Sequence, residues 1–164
     1  MKQKNNLLGF FVVLLFVFVV AVLYTFYNAN GFSYFSDESA ACNNCHIMND
    51  VYYDYGKASH SRMVDGKPKA TCNDCHVPHD SAASKWVAKA KSGVGHAYAF
   101  TFKLGELPTH LSATENTKGW VQGNCVRCHE DMAASVVNAT LDSHNGNALK
   151  CVSCHKGVGH KRDF

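Results

Sequence analysis

The chain has no basic stripe, no βαβ pattern and no cysteine outside one repeated motif. The first absence removes nucleic-acid binding, which needs clustered Lys and Arg or a recognised module. The second removes a thioredoxin-like redox pair, which sits in a βαβ context. The third leaves no thiol for a separate role. Positive charge is also missing from a long stretch: no Lys or Arg occurs between Lys4 and Lys57. Lys and Arg together outnumber Asp and Glu by only three. Lys2 and Lys4 supply two of those charges, so the remainder is close to neutral.

The repeated motif is Cys-X-X-Cys-His. It occurs at Cys42–His46, Cys72–His76, Cys125–His129 and Cys151–His155, and uses Cys42, Cys45, Cys72, Cys75, Cys125, Cys128, Cys151 and Cys154. This is the attachment signature of c-type haem: two thiols add to the haem vinyl groups and the adjacent His can ligate the iron. Half a zinc site or a disulfide framework would also use paired cysteines. Neither requires a His directly after each pair, yet His follows all four although it makes up only 10 of 164 residues. The expected cofactor is four covalently bound haem c, and the expected role is electron transfer.

Leu7 to Tyr27 reads LLGFFVVLLFVFVVAVLYTFY, without a charge. At about 1.5 Å per residue the run spans roughly 31 Å, the thickness of a bilayer core. A cleaved signal peptide would have a shorter apolar core and a small-X-small site, which Asn28-Ala29-Asn30-Gly31 does not supply. Lys2 and Lys4 precede the run, whereas Asp37 and Glu38 are the first charges after it. The positive-inside rule then puts the N-terminus in the cytoplasm and the rest in the periplasm, with Tyr24, Phe26 and Tyr27 in an interfacial aromatic belt. Expected boundaries are a cytoplasmic N-terminus at 1–6, a transmembrane helix at 7–27, a juxtamembrane linker or short helix at 28–41, and a tetrahaem domain at 42–164.

Residues 28–164 suffice for one small domain. With four haems in it, porphyrin fills most of the interior, which predicts a mainly α fold: short helices and long loops, with almost no sheet. The motifs form two close pairs separated by a long middle stretch. There Ala83, Trp86, Val87 and Ala90 recur at helical spacing up to Lys91, after which Gly93 and Gly95 are expected to break or kink the helix. Leu107-Pro108-Thr109 reads as a turn, and Met132 to Leu141 as a further helix. Lys69, Arg127, Lys150, Lys156, Lys161 and Arg162 lie near the motifs, either as partners of haem propionates or as solvated surface.

Four irons need up to eight axial ligands. Outside the motifs the chain offers His60, His79, His96, His110, His144 and His160. The first motif continues as Cys45-His46-Ile47-Met48. A thioether there either replaces His46 on the iron, raising its potential, or packs on the ring edge. Spacing alone leaves both open.

The single anchor, the four motifs, the CHIM at the first, the block Cys72-Asn-Asp-Cys75-His76-Val-Pro-His79 and the ending Cys154-His155-Lys-Gly-Val-Gly-His160 together resemble the NapC/NirT family of membrane-anchored quinol dehydrogenases, over essentially the whole chain. The resemblance implies Met48 on the first iron and His76, His129 and His155 on the second, third and fourth. It implies His160 as distal ligand of the third haem and His60 of the fourth, with a partner subunit's Lys on the second. It further implies menaquinol as electron donor, the lipid bilayer as surroundings and a catalytic multihaem nitrite reductase as partner, which reduces nitrite to ammonia. The alternatives are a general donor to several periplasmic reductases and a non-enzymatic electron-storage or haem-sensing module.

Quinol oxidation needs a proton acceptor and a hydrogen-bond donor near the first haem. Lys89 matches the family's lysine. Where relatives often carry Asp seven residues later, this chain has His96, which titrates near pH 6.5 and can take a proton. Asp80 and Glu106 are the acidic alternatives, and plain helix surface is the competing reading of Lys89 and His96. Trp86, Tyr98, Phe100 and Phe102 flank a quinone, touch the bilayer or pack on haem.

Overall fold

The computed structural model describes residues 2–106, 111–134 and 150–160, with side chains from residue 6 onward. It divides into two units, 1–36 and 37–164.

In the first unit, α1 (Lys2–Asn28) contains the apolar segment Asn6–Asn28, long and apolar enough to cross a membrane, with none of it buried. A 3-10 turn follows at Gly31–Phe35. Its entry is tight: Asn30 takes a left-handed φ of 55°, and a Cβ on Gly31 would overlap the Phe26 ring. Phe26 in turn packs edge-on against Phe32, ring centres 5.2 Å apart.

Among its described residues the second unit is mainly helical. It runs through α2 (Ser39–Cys42), a 3-10 turn at His46–Met48, α3 (Asn49–Lys57), a 3-10 turn at Ser59–Ser61, and strands β1 (Met63–Val64) and β2 (Lys67–Pro68). Then come α4 (Cys72–His76), α5 (Ala82–Phe102), α6 (Glu115–Cys128) and α7 (Cys151–Cys154). The strands pair antiparallel as Met63↔Pro68 and Val64↔Lys67. Asp65 and Gly66 between them both have positive φ, as a type I′ hairpin turn requires. This hairpin, and the Ala70 N–H to His60 C=O bond beyond it (3.0 Å), return the chain from His60 to the second motif.

Local chemistry starts the main helices. Thr71 and Asp74 form a capping box on α4, Ser81 and Ser84 one on α5, and Thr114 caps α6. The expected break at Gly93 and Gly95 does not occur: α5 continues to Phe102. One interior glycine costs only about 1 kcal/mol against alanine, and the alanines and aromatics that follow carry the helix on. Nothing lies within 4 Å of a Cβ placed on Gly95. Gly95→Ala is therefore expected to stabilise the domain by about 0.5–1 kcal/mol, measured as a raised thermal midpoint. The turn expected at Leu107–Thr109 and most of the helix expected at Met132–Leu141 fall outside the described residues.

The protein interior is thin. Ala58, Ala70, Ala88 and Val121 are the buried hydrophobic residues among those described, and no large side chain is fully buried.

Candidate haem-attachment sites and the face beside the first motif

The second, third and fourth motifs place both cysteines on a helix, with His76 as the last residue of α4 and His129 and His155 at the C-caps of α6 and α7, whereas the first runs from the end of α2 at Cys42 into the 3-10 turn that His46 opens. The four motifs lie next to one another in chain order. The thiols of Cys42 and Cys72 share a hydrogen bond, which raises the first and lowers the second. Cys75, pushed up to about 11 by burial, has Cys125 and Cys128 as electrostatic neighbours. Cys125 hydrogen-bonds Cys151. Polar side chains lock these junctions. Ser39 Oγ accepts from the Cys72 N–H at 3.1 Å. Asn124 donates to the Cys75 and Val77 carbonyls at 3.0 and 2.8 Å. Gln122 accepts from the Cys151 N–H at 2.9 Å.

The histidines pair across long separations. His60 Nδ1 donates to the Val158 carbonyl at 2.9 Å, an arrangement that fixes the tautomer and leaves Nε2 for a metal. Its ring centre lies 6.0 Å from that of His129. His76 and His160 lie 5.9 Å apart with nearly parallel rings. Two imidazoles on opposite sides of one metal, each nitrogen at about 2 Å, have ring centres about 6 Å apart. Burial, and secondarily His160, push His76 down to about 4, so it is neutral at pH 7. The resemblance had implied His160 for the third haem and His60 for the fourth, whereas His160 stands beside His76 and His60 beside His129. His155 is exposed at the end of α7. His79 Nε2 donates to the Asn73 carbonyl at 3.2 Å, which gives it a structural role at the end of α4. His110 and His144 lie outside the described residues.

Met48 closes the 46–48 turn half-buried, its N–H bonded to Cys45 C=O at 2.8 Å, while His46 is exposed. The His46 ring lies 6.4 Å from that of Phe100 on α5. Lys89, also on α5, is buried and is an electrostatic neighbour of Cys42. Lys89, His96 and Phe100 share one face by helical period, so His96 stands on the face that reaches the first motif at both ends. Partial desolvation lowers the His96 pKa. Asp80 accepts from Ser84 at 2.9 Å and Glu106 pairs with Lys103 at 3.1 Å, so both are engaged locally.

One residue beside the first motif escaped the sequence reading. Asp37, first residue of the second unit, accepts from Lys85 Nζ at 2.5 Å and Lys89 Nζ at 2.8 Å, and from Asn73 Nδ2 at 3.4 Å. The two ammonium groups hold its pKa below the usual carboxylate value. The ionised pair is therefore complete above the ordinary carboxylate pKa and is lost only as pH falls through the lowered one. A cavity of about 380 Å³ near the fourth motif is lined by Lys118, Lys150 and Lys156. Lys161 and Arg162 are outside the described residues.

The donor set fits haem c. All eight cysteines are free thiols, each pair is followed by a His, and two His pairs stand at the spacing of axial ligands. Among the described residues no group of three or more His, Cys, Asp and Glu stands close enough to hold a metal ion. The sequence profile of the NapC/NirT cytochrome c family, N-terminal region, matches residues 2–163. This chain belongs to that family. Similar NapC/NirT-type proteins are the cytochrome c-type protein NrfH of Wolinella succinogenes, 30% identical over 165 residues, covering 96% of this chain and 89% of that one, and the cytochrome c nitrite reductase subunit NrfH of Nitratidesulfovibrio vulgaris, 31% identical over 128 residues, covering 78% and 70%. The fold is similar to a chain in the crystal structure of the cytochrome c nitrite reductase NrfHA complex bound to the HQNO inhibitor, with a TM-score of 0.61 and 28% identity over 90% of this chain and 88% of that one. Membership of a cytochrome c family carries covalently bound haem c with it.

Proposed function

We propose that this chain is the membrane-anchored quinol-oxidising subunit of a cytochrome c nitrite reductase: it takes electrons from menaquinol and delivers them to a catalytic multihaem partner that reduces nitrite. α1 anchors it with the N-terminus in the cytoplasm and the remainder in the periplasm. The observation that carries this reading is the order of the attachment cysteines in space, first to second to third to fourth, with the Lys89–His96–Phe100 face of α5 at the first.

Four covalent haem c groups supply one-electron carriers when bound. The cysteines fix their attachment points close together, and the Ser39, Asn124 and Gln122 hydrogen bonds hold the motifs in register. His76, His129, His155, His60, His160 and Met48 would hold the haem irons, and the ring spacings support His60 acting with His129 and His76 with His160. At the first motif Lys89 donates a hydrogen bond to a quinol oxygen and stabilises the charge that grows as its proton leaves. His96, neutral at pH 7, takes the proton.

The test is purification of the tagged chain in mild detergent, followed by addition of a reduced menaquinol analogue and then nitrite. Co-purification of a large multihaem subunit and reoxidation by nitrite are expected. A chain that purifies alone, is reduced by quinol and ignores nitrite would instead be a general donor. His96→Ala is expected to slow haem reduction by quinol 10²-fold or more, in the range of about 10²–10⁴ for loss of a general base, without loss of haem. Unchanged stopped-flow kinetics would remove His96 from the site.

A further inference from the structure

We propose that Asp37 is a positioning residue for quinol oxidation: its carboxylate holds the Lys89 ammonium in place beside the first haem-attachment motif. The proposal rests on the quinol-oxidising function above. Lys89 is only 7% exposed, so its charge needs a partner. It lies against the Trp86 ring at 5.3 Å, but the anion it meets is Asp37. Asp37 is 55% exposed and is shared with Lys85, one helical turn earlier on α5. A third, longer bond of 3.4 Å reaches the carboxylate oxygen that Lys89 uses, from Asn73 in the second motif. The linker, the second motif and α5 thus meet on one side chain, and the lysine of the quinol face is held by it.

Facing Lys89 are Asp37 from the linker, Lys85 from its own helix and Cys42 from α2. The Cys42 sulfur no longer titrates once bonded to haem. The two remaining neighbours act with opposite sign. Asp37 stabilises the Lys89 cation. Lys85 weakens that effect twice, by sharing the carboxylate and by repelling the second ammonium.

This arrangement predicts opposite responses from two substitutions. The complete haem-bearing chain in detergent is mixed with a reduced menaquinol analogue, and the limiting rate of haem reduction and the half-saturating quinol concentration are measured. The ratio of rate to half-saturating concentration is expected to fall about tenfold or more in Asp37→Asn, where Lys89 loses its anchor. It is expected to rise in Lys85→Met, where Asp37 serves Lys89 alone, and Asp37→Glu should restore most of the wild-type value. Ratios that do not move, or that move the same way in both variants, would overturn the proposal, because a purely structural role has no reason to give opposite signs. If Asp37→Asn fails to assemble with haem, Lys85→Met at the helix surface decides alone. A wild-type chain that quinol does not reduce would overturn the functional reading, and Asp37's role with it. A wild-type chain reduced normally with both variants unchanged would overturn only the role of Asp37.

Discussion

With all eight motif cysteines replaced by alanine, residues 37–164 are expected to lose their fold entirely. The reason lies in what the protein buries by itself. Fully burying a valine contributes about 1.5–3 kcal/mol, and an alanine less. Ordering each residue costs about 1–2 kcal/mol in backbone entropy. Three alanines and one valine, the buried hydrophobic set among the described residues, cannot offset that cost over a domain of this length. The helix caps and the small hairpin direct local structure but bury almost nothing. Haem must therefore supply the interior, as structural metals do in domains too small for a core of their own. The measurement is limited proteolysis in detergent, with far-UV circular dichroism before and after. The unattached chain should be degraded down to a helical fragment containing α1, whereas the haem-bearing chain resists. A protease-resistant domain without haem would show that the protein core suffices, and would overturn the expectation.

The same physics explains which features were legible in the sequence. The attachment motifs and the apolar run of α1 are contiguous patterns, and contiguous patterns read directly. The near-absence of sheet followed from haem occupying the interior, and one hairpin of two two-residue strands is all the strand structure among the described residues. The continuity of α5 through Gly93 and Gly95 was not legible, because glycine weakens a helix by an amount that its neighbours decide. Asp37 was invisible for another reason. In the sequence it is one acid in a linker, and its partners Lys85 and Lys89 come about fifty residues later. A buried lysine on a helix is a signal that some anion must approach, but burial is not written in the sequence. The histidine pairs show the same limit. The family resemblance marks His60 and His160 as candidate ligands, yet which motif each faces depends on how α4, α6 and the segment after α7 pack. Only the fold sets His60 beside His129 and His160 beside His76.

Asn124→Leu is expected to destabilise the haem-bearing domain by about 2–3 kcal/mol, and Asn124→Asp by at least as much. Asn124 is 7% exposed and stands where α6 meets the end of α4, the most extensive packing between elements of the second unit among those described. Its amide nitrogen donates to two carbonyls, those of Cys75 and Val77, while its oxygen accepts from Arg127 Nε at 3.4 Å. Leucine fills the space but donates nothing, and each part-buried carbonyl left without a donor costs about 1–3 kcal/mol. Aspartate keeps the shape, yet turns an anion toward the same two carbonyls. The pair separates two explanations: if shape alone mattered, aspartate would be nearly neutral and leucine the worse. Guanidinium midpoints, read by haem absorbance, decide between them. The functional consequence follows from position. Cys75 carries the second attachment site and Cys125 and Cys128 the third, one on each side of the Asn124 clamp. A loosened clamp should slow electron passage between the two halves of the chain while leaving reduction by quinol at the first motif intact. Rapid-mixing spectra would then show early haem reduction at the wild-type rate and a delayed second phase.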